Sequence, residues 1–141
     1  MQIRQLLAIP MEIYSDKVFN FSYIRFLEKQ KMESIKLPSN FGSYKYQHLL
    51  RPNYLLSFEV VKTRKNWVIT SIHKYWQITS LDSYNDFLSY TQFIKYLTEN
   101  LKEGQPNKLL DFLLDNLENR PFSSIDIEKL KSGVQQKLGF E

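Results

Sequence analysis

Two periodicities divide the chain. Through the first half, apolar and polar residues alternate, the signature of half-buried strands. Ile3–Ile9 forms a short apolar run before Pro10. In Val18–Leu27 (VFNFSYIRFL), Phe19, Phe21 and Tyr23 fall on one side, with Asn20, Ser22 and Ile24 on the other. The polar stretch Glu28-Lys29-Gln30-Lys31 then leads into Met32–Leu37 (MESIKL), so residues 18–37 read as a hairpin. Residues 38–43 are rich in turn formers, and residues 44–51 carry no clear period. Tyr54–Val61, the basic turn Thr63-Arg64-Lys65-Asn66 and Trp67–Ile72, with Tyr75–Ile78 as an extension, complete about five strands by position 78.

From position 83 the period becomes helical. Ser83 with Asp86 makes an acidic variant of the capping box, and Phe87, Tyr90, Ile94, Leu97 and Leu101 share one helix face before Gly104. Pro106 stands where a second helix can begin. Asn107–Asn119 carries a wide leucine stripe, so this second helix is expected to be well buried. Pro121 breaks the chain; Ser123 or Ser124 caps a third helix with Ile127, Leu130, Val134 and Leu138 on one face and Gly139 just past its end. Five strands followed by three helices, without alternation between them, imply an α+β protein. The expected form is a small five-stranded antiparallel barrel of the OB or SH3 kind over residues 1–80, with a short all-helical segment over 81–141 packed on it.

Charge follows the same division. Residues 1–80 hold twelve Lys/Arg against five Asp/Glu, a balance of +7; residues 81–141 hold seven against ten, a balance of −3. The barrel half therefore suits a polyanion, and the helical half does not. Aromatic content is high at 15%, almost all Tyr and Phe, which supplies rings for a core and for stacking. Phe19, Phe21, Phe58 and Trp76 read as core. Basic residues interleave with the other rings: Lys29, Lys31 and Lys36 along the first hairpin, Lys45 between Tyr44 and Tyr46, and Arg64 and Lys65 beside Trp67. Cations that track phosphates beside rings that stack bases are the means by which OB-type folds hold single strands, so these nine residues are the candidate nucleic-acid site.

Catalysis finds no footing. The chain has no cysteine, which excludes disulfides and thiolate metal sites, and His48 and His73 stand alone. The acid pairs Asp82/Asp86 and Asp111/Asp115 are solvated helix faces lacking further oxygen ligands. No phosphate loop or nucleophile motif is present, so the expectation is a non-enzymatic protein without metal or cofactor. The N-terminal MQIRQLLAIPMEIYSDK has no cleavable-signal pattern, and no run approaches the roughly 18 apolar residues of a membrane span; a cytoplasmic protein with no membrane partner is expected.

Three stretches resemble the RecO family of bacterial recombination mediators: Leu50-Arg51-Pro52 leading through Leu55-Leu56 to Glu59 and Lys62; Glu103-Gly104-Gln105-Pro106-Asn107 followed by Leu110, Phe112, Leu113, Leu114 and Leu117; and Ile127–Phe140, closing on Lys137-Leu138-Gly139-Phe140. The resemblance implies an N-terminal OB-fold, binding of single- and double-stranded DNA, a RecR-type partner, contact with the C-terminal tail of single-strand-binding protein, and a place in the bacterial cytoplasm at the nucleoid. It aligns the family's hairpin lysine near Lys31 and its basic segment near Lys36. Gln30 stands where the family has a hairpin glycine, and the basic stretch has become Lys36-Leu37-Pro38-Ser39-Asn40-Phe41-Gly42, which shifts the expected contacts toward Lys45 and Arg64-Lys65. The family's later helices and four-cysteine zinc element have no counterpart in these residues, so a complete pocket for that tail is not expected. Two other readings of the same residues are a protein-interaction module of the repair machinery with little direct DNA binding, and an OB-fold RNA binder.

Overall fold

A computed structural model describes residues 2–16, 21–38, 47–102, 104 and 106–139, with the side chains of Ser15, Asp16 and Phe21 left aside. Five strands form one sheet: β1 (Ile3–Asp16), β2 (Phe21–Glu28), β3 (Met32–Lys36), β4 (Tyr54–Lys62) and β5 (Trp67–Gln77). Each pairs with two neighbours in the order β1-β2-β3-β5-β4, and β4 returns to β1. All pairings are antiparallel except β3 with β5, which is parallel and rests on Lys36↔Val68, so the expectation of a wholly antiparallel sheet is corrected at that seam.

The ring closes because β1 serves two partners. Ala8 pairs with Leu56 of β4 and with Glu28 of β2; residues before it follow β4 and residues after it follow β2. Pro10 does not end the strand as its position suggests. It lies just beyond the stretch paired with β4, beside a bulge between Pro10 and Glu12, where a missing N–H leaves no gap in the β4 ladder. The register passes from Ile3 to Val61, Val68, Lys36, Tyr23 and back to β1 at Tyr14, eleven residues along. Such a stagger requires strongly tilted strands. Inside the ring, Ala8, Ile24, Phe26, Ile35, Leu56, Phe58 and Val60 are wholly buried, and the tilted rings of Phe26 and Phe58 meet at 4.6 Å between centroids.

Three helices follow among the described residues: α1 (Tyr84–Asn100), α2 (Leu109–Leu117) and α3 (Ile127–Lys137). Ser83 caps α1 by accepting the Asp86 N–H, as its spacing requires. The cap of α3 is Asp126, which accepts the Lys129 N–H; Ser123 and Ser124 belong instead to a 3-10 turn over Phe122–Ser124. Gly139 takes φ +82 just past α3, the left-handed position that glycine tolerates best. The segment is not entirely helical. Thr79–Ser80 (β6) pairs in parallel with Arg120–Pro121 (β7), and the Thr79 hydroxyl donates to the Arg120 carbonyl at 2.8 Å.

A second core joins helices to strands. Ile9, Met11, Leu27, Met32 and Leu55 of the ring pack with Tyr90, Phe93, Leu97, Leu109, Leu113, Leu117, Phe122, Leu130 and Val134. Tyr90 is buried, donates its hydroxyl to the Pro52 carbonyl, and has its ionisation pushed well above the ordinary tyrosine range by burial. The hairpin between β2 and β3 is bound from the helical side, where the Gly104 and Asn107 N–H groups donate to the Met32 and Gln30 carbonyls. The expected α1 face departs at two points: Phe93 is buried, while Phe87 is 51% exposed.

α2 and α3 approach closely at Gly133. A β-carbon there would stand 2.4 Å from Cζ of Phe112. Gly133→Val is expected to lower stability by about 1–3 kcal/mol through overpacking, measured as a shift in urea midpoint at unchanged slope.

Candidate nucleic-acid interface

Strand alternation sends Ile24, Phe26 and Ile35 inward, so Tyr23, Arg25, Ser34 and Lys36 face outward. The second half of β1 adds Glu12 and Tyr14 to this surface by pairing Glu12↔Arg25 and Tyr14↔Tyr23. The rings of Tyr14 and Tyr23 stack at 5.4 Å with an interplanar angle of 17°. The Arg25 guanidinium lies 5.5 Å from the Tyr14 ring centroid and 3.7 Å from a Glu12 carboxylate oxygen. The Tyr14 hydroxyl and Ser34 Oγ share a hydrogen bond of 2.8 Å, which fixes the ring against β3. A half-exposed aromatic pair thus lies between two cations, Arg25 and Lys36.

Lys36 ends β3 at the one pair that joins β3 to β5, and this seam brings it to the β4–β5 hairpin. That hairpin is tight: the Asn66 carbonyl accepts both the Thr63 N–H at 2.9 Å and the Thr63 hydroxyl at 3.1 Å, leaving Arg64 and Lys65 exposed at the tip. Lys36, Arg64, Lys65, Thr63 and Asn66 together line an open depression of about 380 Å3. Three of the nine sequence candidates therefore meet in one place.

The other candidates fare differently. Lys29 and Lys31 sit at the opposite end of the β2–β3 hairpin, about 16 Å along the strand from Lys36 at ~3.3 Å per residue, and Lys31 lies 4.0 Å from Glu33. They do not join the Lys36 cluster. Trp67 is half-buried against the ring's core, with Arg4 at 4.9 Å and Lys62 at 5.3 Å from its ring centroid, so its face already carries two cations. Tyr44, Lys45 and Tyr46 lie outside the described residues, as do Phe19 and the Phe21 side chain. Trp76, expected in the core, is 46% exposed because β5 runs past the ring interior toward the helical segment.

Tyr14, Tyr23 and Arg25 were not among the candidates read from sequence. One signal was present: Arg25 shares parity with Tyr23, and a cation in an alternating strand marks the outward side. Tyr14 lay beyond Pro10, where the strand was expected to have ended.

Charge inside the hairpin is arranged differently. Arg4 reaches Glu33 at 3.0 Å and Glu28 at 3.5 Å, and Glu28 is only 8% exposed. Burial, hydrogen bonding to Glu33 and that carboxylate's charge raise the Glu28 carboxyl to about 8, against the opposing pull of Arg4 and Lys31. Burial would raise Glu33 as well, but hydrogen bonds with Glu28 and Arg4 outweigh it and hold Glu33 below the ordinary range. This group is a structural clamp between β1 and the hairpin. Among the described residues, no three His, Asp or Glu side chains converge as a metal site, and no helix is long and apolar enough to cross a membrane.

No protein-family model matches the chain, and no curated protein matches it.

Glu28 binds its proton more tightly in the folded chain, at about 8, than at the ordinary value of 4.5. Its contribution to stability is complete below the lower value and is lost as pH rises through the higher one. Urea denaturation across pH 5 to 9 should therefore show declining stability toward alkaline pH, and Glu28→Gln should flatten the decline.

Proposed function

We propose that the chain is a non-catalytic, single-stranded-DNA-binding mediator of DNA repair and homologous recombination, of RecO type, and that its five-stranded ring is an OB-fold barrel. The observation that carries this reading is the stacked Tyr14–Tyr23 pair flanked by Arg25 and Lys36, continuous through Lys36 with Arg64 and Lys65. OB-folds bind oligonucleotides on the face of strands 2 and 3 and on the loops between strands 1 and 2 and between strands 4 and 5. The described part of this surface occupies those positions. Stacked rings give affinity without base preference, and the cations track phosphates. The excess of +7 in residues 1–80 favours the same ligand. The three stretches that resemble RecO add the recombination context, with a RecR-type protein and the tail of single-strand-binding protein as partners in a bacterial cytoplasm.

Fluorescence anisotropy with a labelled single-stranded oligonucleotide tests the proposal. Wild type should bind at low salt and weaken steeply as salt rises. Tyr23→Ala should weaken binding by roughly 5- to 150-fold, the equivalent of ~1–3 kcal/mol for one stacked base. Replacing Arg64 and Lys65 together by Ala should reduce the salt slope by about 1.4, at about 0.7 per phosphate contact on a single strand. Absence of binding at low salt, or binding indifferent to salt, would overturn the assignment.

A further inference from the structure

Away from the β1–β2–β3 face, exposed apolar surface gathers where the ring meets α1. A groove of about 720 Å3 opens there, walled by Arg51, Pro52 and Gln77 on the ring side and by Leu81, Phe87 and Thr91 on the helix side. Tyr75 and Trp76, which precede Gln77 on β5, are 56% and 46% exposed on opposite faces of the strand. On α1, Tyr84, Phe87 and Leu88 are 73%, 51% and 39% exposed and lie three and four residues apart, so they form one ridge. Single exposed apolar residues are ordinary, but three large ones on one helical ridge, with Phe87 also walling the groove, mark a contact surface.

The charges of this surface indicate what covers it. Arg51 walls the groove on the ring side, Asp82 follows the groove residue Leu81, and Asp86 lies in the first turn of α1; none of the three makes an ion pair among the described residues. Carboxylates at the start of α1 would repel a phosphate chain. An isologous contact needs a ridge and a groove, and opposite charges, on the same patch, and this patch holds both. We propose that this face is the interface of a homodimer. The Tyr84–Phe87–Leu88 ridge of each copy enters the groove of the other, and Arg51 of each meets Asp82 of the other.

Sedimentation velocity over a concentration series reads this directly. Wild type should move from the 16.9 kDa monomer toward twice that mass. Phe87→Asp places a charge at the centre of the contact and should weaken association by about tenfold or more, with an unchanged far-UV circular dichroism spectrum because the side chain is exposed. Arg51→Glu and Asp82→Lys should each weaken the dimer, and the variant carrying both should regain wild-type association, since each reversed charge then faces its reversed counterpart. A wild-type chain that stays monomeric up to its solubility limit would overturn the proposal. So would a dimer indifferent to Phe87→Asp, or a double variant no better than the singles.

Discussion

Ala8 is the residue at which the sheet becomes a ring. It pairs with Leu56 on one side and Glu28 on the other, and it is wholly buried. Without this exchange of partners, β1 could complete either the β2–β3 meander or the β4–β5 hairpin, not both. The small side chain of Ala8 faces an interior that Phe26 and Phe58 fill. The bulge after Pro10 then bends the strand so that its second half runs along β2. The outward surface depends on that bend, because Tyr14 reaches Tyr23 only if β1 continues beyond Pro10.

The helical half is joined to the ring by a shared core rather than by a linker. Tyr90, Phe93 and Phe122 pack with one another, and the Tyr90 hydroxyl is bonded to the Pro52 carbonyl. The β2–β3 hairpin is bonded to Gly104 and Asn107. This end of the sheet is committed to structure. Lys29 and Lys31 border it, beside the Arg4–Glu28–Glu33 group, whereas Lys36, Arg64 and Lys65 border the opposite, open end. The same hairpin therefore carries a structural clamp at its tip and an outward-facing cation at its base.

A chain that binds nucleic acid on one face and itself on another would present two strand-binding surfaces per particle. The two surfaces differ in character. One is basic and aromatic, with Glu12 held against Arg25; the other is apolar with mixed charge at its edges.

Much of the architecture was legible in the sequence because it rests on local periods. The β2–β3 and β4–β5 hairpins, the Ser83 cap, the leucine stripe of α2 and the left-handed Gly139 all follow from interactions within a few residues. Arg64 and Lys65 at a hairpin tip were legible for the same reason. What tertiary structure decided is every relation between distant segments. The crossing at Ala8, the parallel closure at Lys36↔Val68, the pairing of β6 with β7 and the stacking of Tyr14 on Tyr23 join positions whose partners no local pattern specifies. Alternation in a strand divides side chains into two faces without saying which is covered. Trp76 and Phe87, both apolar and both expected inside, stand exposed because burial is conferred by neighbours brought from elsewhere in the chain.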